Sequence, residues 1–238
     1  MIIIYYIRNK KHNLITKMKN SIASSILSAN FAELGKEVEN VILAGADIIH
    51  FDVMDNHYVP NLTIGPIICE SLINYGIKKP IDVHLMTTPV DDLIIQFCDA
   101  GASMISFHPE ATNHVDRSIE LIKSKHCKAG IALNPASPLS LLDHILDKID
   151  FILIMSVNPG YAGQKFINNS LEKIKKCKKM IDDAGYNVEI EVDGGIKISN
   201  IKQIKKAGAN IFVAGSAIFN SKNYENTIKK MKHEISSD

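Results

Sequence analysis

Ile49-His50-Phe51-Asp52-Val53-Met54-Asp55 decides how the chain is read. In an extended strand successive side chains leave opposite faces, so His50, Asp52 and Met54 share one face while Phe51 and Val53 share the other. One face carries chemistry and the other packs. A His-x-Asp pair on a rigid strand offers two metal donors side by side, and it equally fits a core histidine held by a hydrogen bond. Comparable constellations end several later apolar runs.

Outward from this stretch, strand-like runs cover Ile22 to Leu27, Asp47 to Val53, Ile81 to Met86, Ser103 to His108, Lys128 to Leu133, Phe151 to Val157, Val188 to Asp193 and Ile211 to Ala214. They are near-continuously apolar, as expected of parallel strands covered on both faces. Amphipathic runs separate them, with Leu34, Val38, Val41 and Ile42 after the first strand and Ile167, Leu171, Ile174, Cys177 and Ile181 after the sixth. Pro89 and Pro138 stand where a first helical turn begins, and Gly45, Gly101, Gly185 and Gly208 follow helix ends. Eight strand-helix units over residues 21–238 average about 27 residues each, near the compact end of the (β/α)8 barrel range. The main rival, an open doubly wound sheet, needs a Gly-rich turn after the first strand for a nucleotide, and Leu27-Ser28-Ala29-Asn30 supplies none. A single-domain (β/α)8 barrel over 21–238 is therefore expected.

Composition bounds the partners. The 27 basic and 26 acidic residues nearly cancel, so no global field points to nucleic acid or an anionic membrane. With 46% hydrophobic residues the chain can build a sizeable core. Cys69, Cys98, Cys127 and Cys177 form no Cys-x-x-Cys pair and read as reduced thiols of an intracellular protein. Residues 1–20 break the pattern: the apolar run Ile2 to Ile7 precedes Arg8, Lys10 and Lys11, the reverse of a secretory signal, and is too short to span a membrane. This segment is expected to be a poorly ordered extension, with Met18 as the true initiator.

In a barrel all strand carboxyl ends meet on one face, where active sites sit. At those ends the sequence places Ser25, His50, Asp52, Asp55, Asp82, His84, His108, Asn134, Asn158 and Asp193. Asp82, His84 and Met86 alternate as the second strand does, and so do Glu189, Glu191 and Asp193. His50, Asp52, His84 and Asp193 can thus meet as a two-His, two-carboxylate site for Zn²⁺, Fe²⁺, Mn²⁺ or Co²⁺. Gly-rich turns follow the last three strands: Asn158-Pro159-Gly160-Tyr161-Ala162-Gly163, Gly194-Gly195 and Gly215-Ser216. Glycines let backbone N–H groups approach an anion, and loops seven and eight are this fold's usual phosphate cradle, so a phosphosugar is the expected ligand.

Ser25-Ile26-Leu27, His50 to Asp55, Val59-Pro60-Asn61, Asp82 to Met86, Asn158 to Gln164, Val192 to Ile196 and Gly215 to Ile218 together resemble the ribulose-phosphate 3-epimerase family, from about Ile22 to the end. The resemblance implies an isomerase of the pentose phosphate pathway that interconverts D-ribulose 5-phosphate and D-xylulose 5-phosphate through a cis-enediolate. It implies one divalent metal held by His50, Asp52, His84 and Asp193, Zn²⁺ being expected first, with Asp52 and Asp193 also the acid/base pair. Ser25 and His84 resemble substrate-contacting residues. Gly160, Tyr161, Ala162, Gly163, Gly194, Gly195, Gly215 and Ser216 resemble the loops at the phosphate end. Met54, Met86 and Met155 resemble a thioether cage around the enediolate; by the residues alone they read as core packing. A cytoplasmic homo-oligomer is implied, with no nucleic-acid or membrane partner.

Some positions depart from the family pattern: Asn30 for Asp, Asn56 for Gly, Ala162 for Gly, and Tyr58 and Tyr161 for Phe. Ala162 adds a Cβ near the phosphate end. Rival functions are an epimerase of a 6-phosphate ketohexose or a metal-free phosphosugar barrel, the latter with no need of His50 and His84. A non-catalytic binding barrel would be expected to have lost Asp52 or Asp193, and both are present. His108 is expected to line the mouth, while His12, His114, His126, His144 and His233 read as solvated.

Overall fold

Eight short apolar runs become β1 (Ser21–Ser25), β2 (Ile48–Met54), β3 (Ile81–Met86), β4 (Met104–Phe107), β5 (Lys128–Leu133), β6 (Phe151–Met155), β7 (Glu189–Asp193) and β8 (Ile211–Ala214) in a computed structural model that describes residues 20–237. They pair in sequence order, all parallel, and β8 closes on β1. Met18 and the segment 1–19 lie outside the described residues. The helices are α1 (Leu34–Leu43), α2 (Pro66–Tyr75), α3 (Asp91–Asp99), α4 (Val115–Ser124), α5 (Ser170–Ala184), α6 (Ile198–Ala207), a short α7 (Ser216–Phe219) and α8 (Tyr224–Ser236).

The outward faces of the strands pack under the inward stripes of the helices: Phe51, Val83 and Ile152 meet a layer that includes Val38 and Val41 of α1 and Ile174, Cys177 and Ile181 of α5. This continuous layer is the main apolar core. Gly185 ends α5 at φ 73°, in the left-handed region a side chain resists. Inside the barrel, Ala23, Ile48, Met104, Phe151, Ile211 and Val213 plug the amino-terminal end. Gly130 makes room for that plug, because a Cβ there would fall 2.3 Å from the Phe151 ring. Polar residues occupy the interior above the plug.

Three expectations about the elements are corrected. β1 stops at Ser25 rather than Leu27, because the chain turns there into a 3-10 helix at Ile26–Ser28 that the Ser25 hydroxyl caps. β6 stops at Met155 rather than Val157: Ser156 N–H makes the last ladder bond to β7, donating to Asp193 O at 2.7 Å, and the Ser156 hydroxyl caps the end by donating to Asp193 O and Gly194 O. After β5, Pro138 opens only a 3-10 helix at Leu139–Leu142, and no α-helix joins β5 to β6 among the described residues.

Candidate active site

The parallel register of β2 and β3 sets His50 beside Asp82 and Asp52 beside His84. All four side chains stand on inward-facing strand positions and are buried. Asp193, three strands from β2 around the closed barrel, completes the group: His50, Asp52, His84 and Asp193 each bring one donor atom to within 4.8 Å of the others. The expected two-His, two-carboxylate cluster is thus assembled.

Each member is held from behind. His50 Nδ1 lies 2.6 Å from Asp82 Oδ2, while its Nε2 faces Asp52 Oδ1 at 3.6 Å, too long for a hydrogen bond, and has no partner. His84 Nε2 lies 2.9 Å from His108 Nε2, and its Nδ1 faces Asp52 Oδ1 at 3.7 Å, also unpartnered. Asp52 accepts from Ser25 Oγ at 2.5 Å, and its carbonyl accepts from Thr63 Oγ1 at 2.6 Å, which fixes the end of β2. Two imidazole nitrogens left without partners in a buried site, both facing Asp52 Oδ1 with Asp193 close by, are what a divalent cation requires. The donor set fits one.

The electrostatics separate the two carboxylates. Burial works against the Asp52 carboxylate, but His50 and His84 beside it outweigh that and hold its pKa well below the usual range. For Asp193 burial, reinforced by the Asp52 charge, raises the pKa to about 7. Burial opposes the His50 imidazolium too, yet Asp82 and Asp52 raise its pKa well above normal. Burial keeps His84 and His108 neutral. Glu191, deeper in the barrel with Oε1 3.6 Å from His50 Nδ1, is pushed well up by burial and by Asp82. A bound cation would pull these carboxylates down.

Above the cluster opens a cavity of about 580 Å³, counting its mouth. Ser25, Met54, Met86 and Met155 line its floor, and Gly160, Tyr161, Ala162, Gly163, Gly194, Gly195, Gly215 and Ser216 line one side. Lys197 stands at the same side. The Gly-rich turns interlock: a Cβ on Gly195, at φ 66°, would fall 2.5 Å from Phe166 N. Asn61 Nδ2 donates to Gly160 O and the Tyr161 hydroxyl donates to Pro60 O, both at 2.8 Å, tying the turn after β6 to the turn after β2. Asn56 adopts φ 60°, which Asn tolerates. His108, expected to line the mouth, is instead fully buried between His84 and the Tyr58 ring.

Sequence reasoning gave His108, Asp82 and Glu191 no role behind the ligands. All three sit in phase with the inward-facing positions of β3, β4 and β7, but which atoms meet depends on register between strands.

A (β/α)8 barrel with a buried His/Asp cluster under a Gly-rich cradle belongs to the barrel proteins equipped for chemistry on small phosphorylated ligands. Within that class the chain belongs to the ribulose-phosphate 3 epimerase family, whose sequence model matches residues 21–219. It is 62% identical over 203 residues to the protein named ribulose-phosphate 3-epimerase of Serratia marcescens, covering 85% of this chain and 97% of that one. To the protein of the same name from Escherichia coli strain K12 it is 57% identical over 214 residues, covering 90% and 95%. Among solved structures, 3-keto-L-gulonate-6-phosphate decarboxylase from Vibrio cholerae shares the fold at TM-score 0.69 with 16% identity, over 92% of this chain and 98% of that one.

Proposed function

We propose that the protein interconverts D-ribulose 5-phosphate and D-xylulose 5-phosphate by inverting C3, with Asp52 and Asp193 as the acid/base pair. The observation that carries this is the pair itself: Asp52 of β2 and Asp193 of β7, three strands apart around the barrel, both line one cavity. Inversion through a planar enediolate removes a proton from one face of C3 and delivers another to the opposite face. One base cannot serve both faces, whereas two carboxyl groups in opposite protonation states can, and they exchange roles in the reverse direction.

Asp52, held ionised by its histidines, takes the C3 proton, and Asp193 as the carboxylic acid returns one from the other side. Ser25, bonded to Asp52, orients that carboxylate. Met54, Met86 and Met155 wall the reacting carbons with groups that carry no exchangeable proton, so the intermediate is reprotonated only by the carboxyls. Backbone N–H groups of the turns at Gly160 to Gly163, Gly194, Gly195, Gly215 and Ser216 hold the phosphate, and Lys197 adds a positive charge at that end. His50, Asp52, His84 and Asp193 would hold one divalent cation, Zn²⁺ by its nitrogen and oxygen donors. When bound, it supplies Lewis acidity that stabilises negative charge developing on the substrate oxygens. We place the enzyme in the cytoplasm, as its free thiols suit, and infer a homo-oligomer, to which exposed Leu43 and Ile67 offer apolar surface.

A coupled assay for D-xylulose 5-phosphate formed from D-ribulose 5-phosphate tests the reading. Asp193→Asn is expected to lose at least about 10³-fold in kcat, and chelation to abolish activity that metal restores. Robust turnover by Asp193→Asn would overturn the assignment. An inactive, metal-loaded parent would redirect the search to 6-phosphate ketohexoses.

A further inference from the structure

The ligand cluster is supported on one flank by a carboxylate and on the other by a histidine that reaches no cavity. His108, at the carboxyl end of β4, is fully buried and absent from the cavity lining. Its Nε2 lies 2.9 Å from His84 Nε2. The Tyr58 ring stacks on it at 4.7 Å between centroids and 29° between planes, and the Tyr58 hydroxyl accepts from Asn134 Nδ2 at 2.8 Å. A chain of contacts therefore runs from Asp52 through His84, His108 and Tyr58 to Asn134, the residue that follows β5.

From this geometry we propose that His108 is a positioning residue: it fixes the tautomer and ring orientation of His84, so that His84 presents a lone pair on Nδ1 to the cation. The inference rests on the metal reading above. Two ring nitrogens 2.9 Å apart make a hydrogen bond only if one carries a proton and the other does not. With the His84 Nδ1 lone pair committed toward Asp52 and the cation, the His84 proton sits on Nε2. His84 therefore donates and His108 accepts through Nε2, which puts the His108 proton on Nδ1. Were the His84 proton on Nδ1 instead, it would point an N–H where a metal needs an electron pair. The stacked Tyr58 ring stops His108 from turning away, and the Asn134 bond holds Tyr58 in place.

His50 gains the same service from Asp82, so the two imidazoles are oriented by different chemistry. A carboxylate fixes a donor strongly by charge. A neutral imidazole acceptor fixes it without adding negative charge beside Asp52, in an interior that already buries Asp52, Asp82 and Glu191. Loss of such an orienting partner usually weakens metal binding 10- to 100-fold.

The test compares parent, His108→Leu and His108→Gln by competition for Zn²⁺ against a chromophoric chelator, with thermal melts of the metal-free proteins alongside. His108→Leu is expected to weaken Zn²⁺ binding by about 10- to 100-fold. His108→Gln, whose amide oxygen can take the place of Nε2 as acceptor, is expected to recover most of that loss. A merely structural residue would lower the melting temperature of both variants without this split in affinity. Equal Zn²⁺ affinity for His108→Leu and parent overturns the inference while leaving the metal reading intact. A parent that binds no Zn²⁺ overturns both. Nitrogen-15 NMR of the imidazoles in the Zn²⁺-loaded parent asks the question without any variant. Protons on His84 Nε2 and His108 Nδ1 support the inference, and a proton on His108 Nε2 overturns it.

Discussion

Asp193 sits where burial and the charge of Asp52 both resist its ionisation. Its carboxyl keeps a proton up to about pH 7 in the folded, metal-free chain, whereas the unfolded chain releases it near 3.8. Between those values the unfolded state binds fewer protons, so this group makes stability fall as pH rises, with the loss complete above about 7. Asp193→Asn removes the titration. In denaturant melts of metal-free protein, the variant should match the parent near pH 4 and exceed it by on the order of 2 kcal/mol at neutral pH, allowing for Asp193's contact with solvent. A bound cation should reverse the order, because only the parent then offers the charge. A pH-independent difference between the two would show that the carboxyl titrates alike in the folded and unfolded chains.

At the scale of elements, the late turns act as one unit because backbone meets backbone. Gly195, at φ 66°, would place a Cβ 2.5 Å from Phe166 N and 2.9 Å from Gln164 O, whereas Gly163, at φ 78°, has open space around it. Gly195→Ala should therefore push the turn after β7 off the turn after β6 and raise KM at least about tenfold, close to 1.4 kcal/mol of binding. Gly163→Ala carries only backbone strain and should raise it less. Steady-state kinetics on both variants decides, and an unchanged KM in Gly195→Ala would remove those turns from the phosphate subsite. Much of this arrangement was legible beforehand. Period-two alternation put His50, Asp52, His84 and Asp193 on inward faces, and the Gly-rich turns stood after the right strands. The ends of β1 and β6 were not legible, because tertiary hydrogen bonds at Ser25 and Ser156 override the apolar runs that continue past them. Nor was the 3-10 link after β5, where Pro138 reads as a helix start. The pairing of His50 with Asp82, and of His84 with His108, needs inter-strand register, which no single strand encodes.

For the whole molecule, the barrel axis is a column with two solvents. An apolar plug of Ile48, Met104 and Phe151 closes one end, and above it Asp82, Glu191, His50, Asp52 and His84 are buried with polar atoms lacking partners, among them Asp82 Oδ1 and both Glu191 oxygens. Such groups cost stability unless a counter-charge joins them. A cation held at the His/Asp cluster would be that counter-charge, and it would link catalytic competence and stability through one ion. Saturation at about 100 times Kd should stabilise the fold by about 2.7 kcal/mol, raising the melting temperature of a domain this size by roughly 5–10 °C. His84→Ala should abolish most of the rise while keeping the barrel's circular dichroism. If divalent cations leave the parent's melting temperature unmoved, the column must be neutralised by protons alone. Asp193 and Glu191 would then hold those protons, and the chemistry at C3 would rest on the carboxyl pair without a metal's help.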